Sequence, residues 1–518
     1  MRRPPPVQQS SRYPPLFAGI LIALCTGGTS CGSDSGGTPE RDGAGVDPGD
    51  KPNVIVIVLD TLRRDATGLA EGRIHDWPTL PGGLTPNLDR FAADSATFTR
   101  AYSAAPWTVP AHASLFTGLI PSSHGCVARR PRLGDVGPTL AELLGAAGYA
   151  TVAFFSNPWL SDRATGLLRG FETRVESPIG DLGSLTSPRG DQGGAATLEH
   201  VESWLKDRDP ARPFFLFVNF LEAHLPYDPP PGIRALFSPP LAAGARIPIE
   251  WAHEFNAGLL PPDELDWTAV RSLYAGDVRA ADELLGRLLA LLGDRGVLAD
   301  AAVFVTSDHG ENLGDHGLVE HQFSVHESLL AVPLVVRLPG GALPPGRYDA
   351  PVMTTDVFAT VAELAGLALP AARPHSIPLA RSAGERGQRR PIIAEYSLPN
   401  PQLIELLRAL NPDRDTSELA QGWRTVRVGR LRLTVGSSGQ RMLHDVVADR
   451  AQVRDLSGER RGAVARLGRV LLEALPKSRT TATGPRPVLD PATREQLEAL
   501  GYATSEPDDD SHDDGDDG

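Results

Sequence analysis

At 518 residues with 41% hydrophobic content, the chain is long and apolar enough to bury a large core, which excludes a disordered protein. Its formal charge of −14 argues against a nucleic-acid ligand. The closing run EPDDDSHDDGDDG (506–518) holds eight carboxylates, more than half of that charge, so the body is only mildly acidic. Residues 481–518 read as a tail, acidic and disordered from about 505 and without a function of its own.

In chain order, Arg2, Arg3 and Arg12 precede the apolar run LFAGILIALC (16–25) and the small residues TGGTSC. The run is too short to span a membrane, and its charged, apolar, small order is that of a secretory signal over 1–31. It resembles a bacterial lipoprotein signal with Cys31 as the lipidated first residue, although Gly28 stands where an aliphatic residue is usual; the alternative is plain cleavage near Ala or Ser. Residues 32–50, GSDSGGTPERDGAGVDPGD, form a tether with nothing to pack. The expected location is outside the cytoplasm, in a bacterial cell envelope or as a periplasmic or extracellular protein, touching membrane only through a lipid anchor. Of three cysteines two lie in the signal, so Cys126 has no partner and no disulfide framework exists.

Near-continuous apolar runs at 54–59, 151–155, 214–220, 301–306 and 332–338 have the length and β-branching of buried parallel strands. Helical patterns at 139–148, 278–296 and 356–366 alternate with them, which gives an α/β sandwich with a large, mainly parallel sheet as the core of a domain over 51–370. Open parallel sheets bind ligands beyond the carboxyl ends of their strands. There stand Asp60 after the first run, His224 after the third, and Asp308, His309 and His316 after the fourth. Residues 225–265 either shape a substrate pocket or form an elaborated loop. Over 371–480 the pattern changes to strands at 422–435 and 441–447 and a helix at 460–475, a small antiparallel sheet with a closing helix.

The segments KPNVIVIVLDTLRRD, TPNLDRFAADSATFTRAYSAAPWTVPAHASLFTG, NFLEAHLPYDPP, TSDHGENLGDHG, HESLLAVPLVVRLPG and LHDVVADRAQVRDLS run in that order. Together they resemble the sulfatase family of the alkaline phosphatase superfamily. The resemblance implies one divalent metal, Mn²⁺, Zn²⁺ or Ca²⁺, held by Asp60, Thr108, Asp308 and His309, where oxygen and imidazole ligands suit such ions. Standing alone, Asp60 would read as a helix cap.

Sulfatases proper oxidise the Cys or Ser of C/S-x-P-x-R to formylglycine. Here the aligned pentapeptide is TVPAH, with Thr108 as nucleophile and His112 in the Arg position. Threonine cannot become formylglycine, so none is expected, and relatives with a threonine nucleophile cleave phosphorus esters. The other reading of Thr108, an N-cap of the helix PAHASLFTG, is compatible with attack by its hydroxyl. His224 matches the histidine that contacts ester oxygens or the leaving group. His321 falls where sulfatases carry a substrate-binding lysine and can serve as general acid or second-metal ligand. Asp315 and His316 belong either to the site or to a turn, while His326 and Glu327 brace it. Thr61 departs from a second Asp frequent in the family.

The expected activity is metal-dependent hydrolysis of sulfuric or phosphoric mono- or diesters through a covalent Thr108 intermediate. Its substrate is an anionic ester: a sulfated or phosphorylated small molecule, glycan or lipid headgroup. Rival readings are a di-metal phosphodiesterase, a phospho-alcohol transferase acting on cell-surface glycans, and a non-catalytic glycan-binding member of the family.

Overall fold

VIVIVL carries five β-branched residues in six, a composition that favours an extended strand covered on both faces. In this computed structural model, which describes residues 51–161, 164–179, 191–370, 373–384, 390–476, 489, 491–500 and 502, it is the central strand β1 (Val54–Leu59), buried throughout. The signal, the tether and the acidic run lie outside the described residues.

Seven further strands complete the large sheet: β2 (Ala96–Phe98), β3 (Ala150–Phe155), β4 (Thr173–Glu176), β5 (Phe214–Phe220), β6 (Ala302–Thr306), β7 (Leu334–Arg337) and β8 (Gly346–Tyr348). Their order is β8-β2-β7-β6-β1-β5-β3-β4. Strands β6, β1, β5, β3 and β4 run parallel, and β7 runs against both its neighbours.

Alternation along β1 divides the core. Val54, Val56 and Val58 join a cluster with Trp107, Val109, Phe116 and Phe304, whereas Ile55, Ile57 and Leu59 join another with Tyr274, Val278, Leu285 and Leu288. The helix Thr108–Thr117 therefore covers one face and the 28-residue helix Trp267–Asp294 the other. Each fully buried Val or Ile contributes about 1.5–3 kcal/mol.

Three expectations change. The run at 332–338 is not one parallel strand: Ala331–Val332 pairs with Ala101–Tyr102 in a separate sheet, and antiparallel β7 begins after Pro333. Proline has no N–H to give the ladder, and its carbonyl instead accepts the Thr306 hydroxyl at 2.7 Å. The helix expected from 278 starts at Trp267, where Asp266 caps it by accepting the Thr268 and Ala269 amides, both at 3.0 Å. Within the expected tail, Pro491–Ala499 is a helix, and Leu497, Leu500 and Tyr502 are buried in the first core cluster. Those apolar residues precede the acidic run and have a surface to cover.

Residues 225–265 fold as more than a loop, with short helices Pro231–Arg234 and Ile249–Asn256. The C-terminal part forms the antiparallel strands β9 (Ile392–Tyr396), β10 (Trp423–Val428), β11 (Leu431–Gly436) and β12 (Arg441–Asp445), backed by the helix Arg461–Ala474 on β10 and β11. Both sheets belong to one compact unit. Among the described residues no helix is long and apolar enough to cross a membrane.

Candidate active site

The carboxyl ends of β1, β3, β5 and β6 open on one side and place Asp60, Asn157, Asn219 and Asp308 within reach of one another. Asp60 Oδ2 accepts from Asn157 Nδ2 at 2.8 Å and Asn219 Nδ2 at 3.0 Å. Thr61, at φ 54°, turns its amide to Asp308 Oδ1 at 3.2 Å. His309 points its Nδ1 at the Gly310 carbonyl, 2.9 Å away, so Nδ1 carries a proton and Nε2 faces the site.

Thr108 opens the helix Thr108–Thr117, and extended Trp107 occupies the cap position. The N-cap reading of Thr108 is thereby corrected: its hydroxyl serves no cap but lies 3.4 Å from His309 Nε2 and 3.4 Å from Asn157 Nδ2. One turn on, His112 Nδ1 bonds the Thr108 carbonyl at 2.9 Å and lies 3.6 Å from Asp308 Oδ2. Burial pushes the His112 pKa down, so it braces the turn as a neutral ring and does not replace the charge of an arginine.

Asp60, Asp308 and His309 each offer a ligand atom, all within 4.8 Å of one another. Asp60 Oδ1 and Asp308 Oδ2 are buried with no hydrogen-bond partner, an arrangement costly for carboxylates unless a cation faces them. Burial, then the charge of Asp308, raises the Asp60 pKa to about 7. Burial also works on Asp308, but the His309 imidazolium outweighs it and brings that carboxyl to about 2. Burial opposes a charge on His309, yet Asp308 prevails and lifts its pKa to about 9. The pocket thus recruits its own cation, as a divalent ion's ligand set does. Hard oxygens and one imidazole fit Mn²⁺, Zn²⁺ or Ca²⁺.

His224 and His321 face this cluster from the other side, with the His321 ring centroid 4.5 Å from that of His309 and 5.0 Å from that of His224. His224 Nδ1 bonds the Leu225 carbonyl at 2.6 Å, and His321 Nδ1 lies 3.3 Å from Glu311 Oε1. Burial lowers the pKa of both, to about 4 for His224. Between their Nε2 atoms sits a residue from the far end of the chain: the Tyr502 hydroxyl is 3.3 Å from His224 and 3.0 Å from His321.

Asp315 and His316 are placed elsewhere. Asp315 spends its oxygens on Arg63 at 2.7 Å and His75 at 2.9 Å, and His316 stacks on His326 with centroids 3.7 Å apart. Glu327 pairs with Arg432 at 2.7 Å and Arg427 at 3.6 Å, both on the small antiparallel sheet. Asn157, Asn219 and Tyr502 escaped the sequence reading. The first two end parallel strands, the position that drew notice to Asp60; Tyr502 carries no local signal.

The sulfatase family profile matches residues 52–367. An arylsulfatase of Clostridium perfringens is 25% identical over 379 residues, 62% of this chain and 76% of that protein. A choline-sulfatase of Rhizobium meliloti is 26% identical over 399 residues, covering 67% and 74% of the two chains. The phosphonate monoester hydrolase of Agrobacterium radiobacter superposes with a TM-score of 0.65 at 22% identity, over 82% of this chain and 95% of that one. With this fold, this site and a profile that spans more than half of its length, the chain belongs to the sulfatase family of ester hydrolases.

Proposed function

We propose that the protein hydrolyses phosphoric and sulfuric esters by direct attack of Thr108, with phosphorus esters preferred. The observation that carries this is the Thr108 hydroxyl 3.4 Å from His309 Nε2, on the edge of the Asp60, Asp308 and His309 cluster, where formylglycine chemistry has no precursor. A divalent ion bound by Asp60 Oδ1, Asp308 Oδ2, His309 Nε2 and Thr108 Oγ1 would lower the hydroxyl's pKa and neutralise the anionic ester. Asn157 and Asn219 hold Asp60 in the orientation that leaves Oδ1 free.

With its proton given up to solvent, Thr108 Oγ1 forms a bond to phosphorus while the bond to the leaving oxygen breaks. His321 Nε2–H donates to that oxygen; its Nδ1 accepts from Glu311, whose carboxyl burial keeps protonated. Water then attacks phosphorus, giving a proton to His224 Nε2 while the bond from phosphorus to Thr108 Oγ1 breaks; Thr108 leaves as the oxyanion that began the cycle, and solvent returns the proton to Glu311. His224 Nε2 is a bare acceptor because Nδ1–H is committed to the Leu225 carbonyl. A sulfated threonine must be cleared by the same attack, since there is no gem-diol to expel sulfate, and so turns over more slowly. A multifunctional alkaline phosphatase superfamily protein of Trinickia caryophylli, 26% identical over 390 residues, supports more than one activity at such a site.

The test is kcat/KM for matched nitrophenyl sulfate, phosphate and phosphodiester on one metal-loaded preparation. Phosphorus esters should lead; a sulfate preference of about tenfold, ~1.4 kcal/mol, contradicts the reading. The N-terminal pattern supports export as a lipoprotein beginning at Cys31, and an intact mass that starts elsewhere without lipid would refute it.

A further inference from the structure

We propose that the C-terminal helix Pro491–Ala499 docks Tyr502 as a built-in plug, its hydroxyl occupying the position of an ester oxygen between His224, His321 and Thr108. The proposal rests on the reading of those three residues as the groups that meet the ester.

The docking is built by burial. Leu497 and Leu500 are fully buried and Tyr502 is 7% exposed. The helix packs on the turn Pro158–Leu160, and the Tyr502 ring meets Trp159 edge-on at 5.3 Å between centroids. That turn directly follows Asn157, which touches both Asp60 and Thr108. The Tyr502 amide bonds the Leu497 carbonyl at 2.9 Å, closing the segment on itself.

The phenol makes its hydrogen bonds to the two histidines of the site. A tyrosine hydroxyl has one proton to give and two lone pairs. With Nδ1–H fixed on the Leu225 carbonyl, His224 Nε2 can only accept, so the Tyr502 proton goes there, at 3.3 Å. A lone pair faces His321 Nε2, at 3.0 Å. The His321 donor that would receive an ester oxygen thus receives the phenol oxygen instead, and two oxygens cannot share that place. Thr108, His224, His309 and His321 are all fully buried with Tyr502 seated, so an ester enters only after the segment undocks. Because the plug is tethered, it competes at an effective concentration on the order of millimolar, raising KM without entering the chemistry.

Two measurements on the full-length, metal-loaded protein decide the matter. In the wild type, saturating inorganic phosphate should speed hydrogen exchange at the amides of Leu497, Leu500 and Tyr502; slower exchange there would show a clamp that closes on the anion and would overturn the plug. In kinetics, Tyr502→Ala should raise kcat/KM for nitrophenyl phosphate about tenfold, chiefly through KM. Tyr502→Phe, which keeps the ring on Trp159, should do so in part. A fall in kcat at unchanged KM in either variant, or rates equal to wild type, rejects the proposal. If no form turns over any ester while phosphate still loosens the segment, the plug stands and the hydrolase reading falls.

Discussion

Asp60 and Asp308 are the same side chain in one pocket, yet their environments drive them apart, one carboxyl to about 7 and the other to about 2. Metal must displace a proton from His309 below pH 9 and a second from Asp60 below pH 7, so affinity should rise roughly tenfold per pH unit from 7 to 9 and more steeply below 7. Titrating Mn²⁺ into the apoprotein between pH 5.5 and 8.5 checks this, and Asp60→Asn should bind weakly and lose the steeper rise below pH 7. Asp308→Asn and His309→Ala should each lower metal content by mass spectrometry, whereas Thr108→Ala should keep most of it and lose turnover by several orders of magnitude. Unchanged metal in Asp308→Asn would refute the ligand set. Asp60, Asp308 and His309 were legible in the sequence because acids and a histidine just after apolar strands have few structural duties there. Asn157 follows a strand too, but an amide carries no charge to draw notice. Tyr502 is visible only once the fold brings residues nearly 400 positions from Thr108 to its side.

Elements were legible where both faces are apolar, as in β1 and β5, whose bounds match the runs at 54–59 and 214–220. Strand direction was not, since composition is blind to it: β7 reads like its neighbours, and the break at Pro333 decides its course. The early turns of Trp267–Asp294 were obscured by Gly276, which fits because a Cβ there would meet Pro229 Cγ at 2.6 Å. Joining elements also leaves a titratable mark. Glu222, just past β5, accepts the Gly194 amide at 2.8 Å where the helix Gly194–Asp207 begins. Burial lifts its pKa from 4.5 to about 8. The folded state binds this proton more tightly than the unfolded chain, so the contribution is full below pH 4.5 and is lost as pH rises through 8. Glu222→Gln should therefore recover on the order of 2–4 kcal/mol at pH 9 relative to wild type. Urea unfolding at pH 5 and pH 9 reads the difference; equal pH dependence in both proteins would contradict it.

Across the whole molecule, the small antiparallel sheet is fastened to the large-sheet body by buried charge. Arg432 on β11, 1% exposed at its side chain, meets Glu327 at 2.7 Å, and the guanidinium groups of Arg64, Arg427 and Arg432 lie 4.8–5.8 Å from the Tyr102 ring. Removing the carboxylate leaves stacked cations uncompensated, so Glu327→Gln should cost about 3–5 kcal/mol in denaturant unfolding. A loss within experimental error would mean that the sheet is held by apolar contact alone.

The proposed attack by the Thr108 hydroxyl can be tested directly. Metal-loaded enzyme is mixed with nitrophenyl phosphate, quenched in acid during turnover, digested, and the peptide containing Thr108 is weighed. An added phosphoryl group is expected on Thr108, absent in Thr108→Ala. Undiminished turnover by Thr108→Ala, with no modified peptide in the wild type, would contradict it.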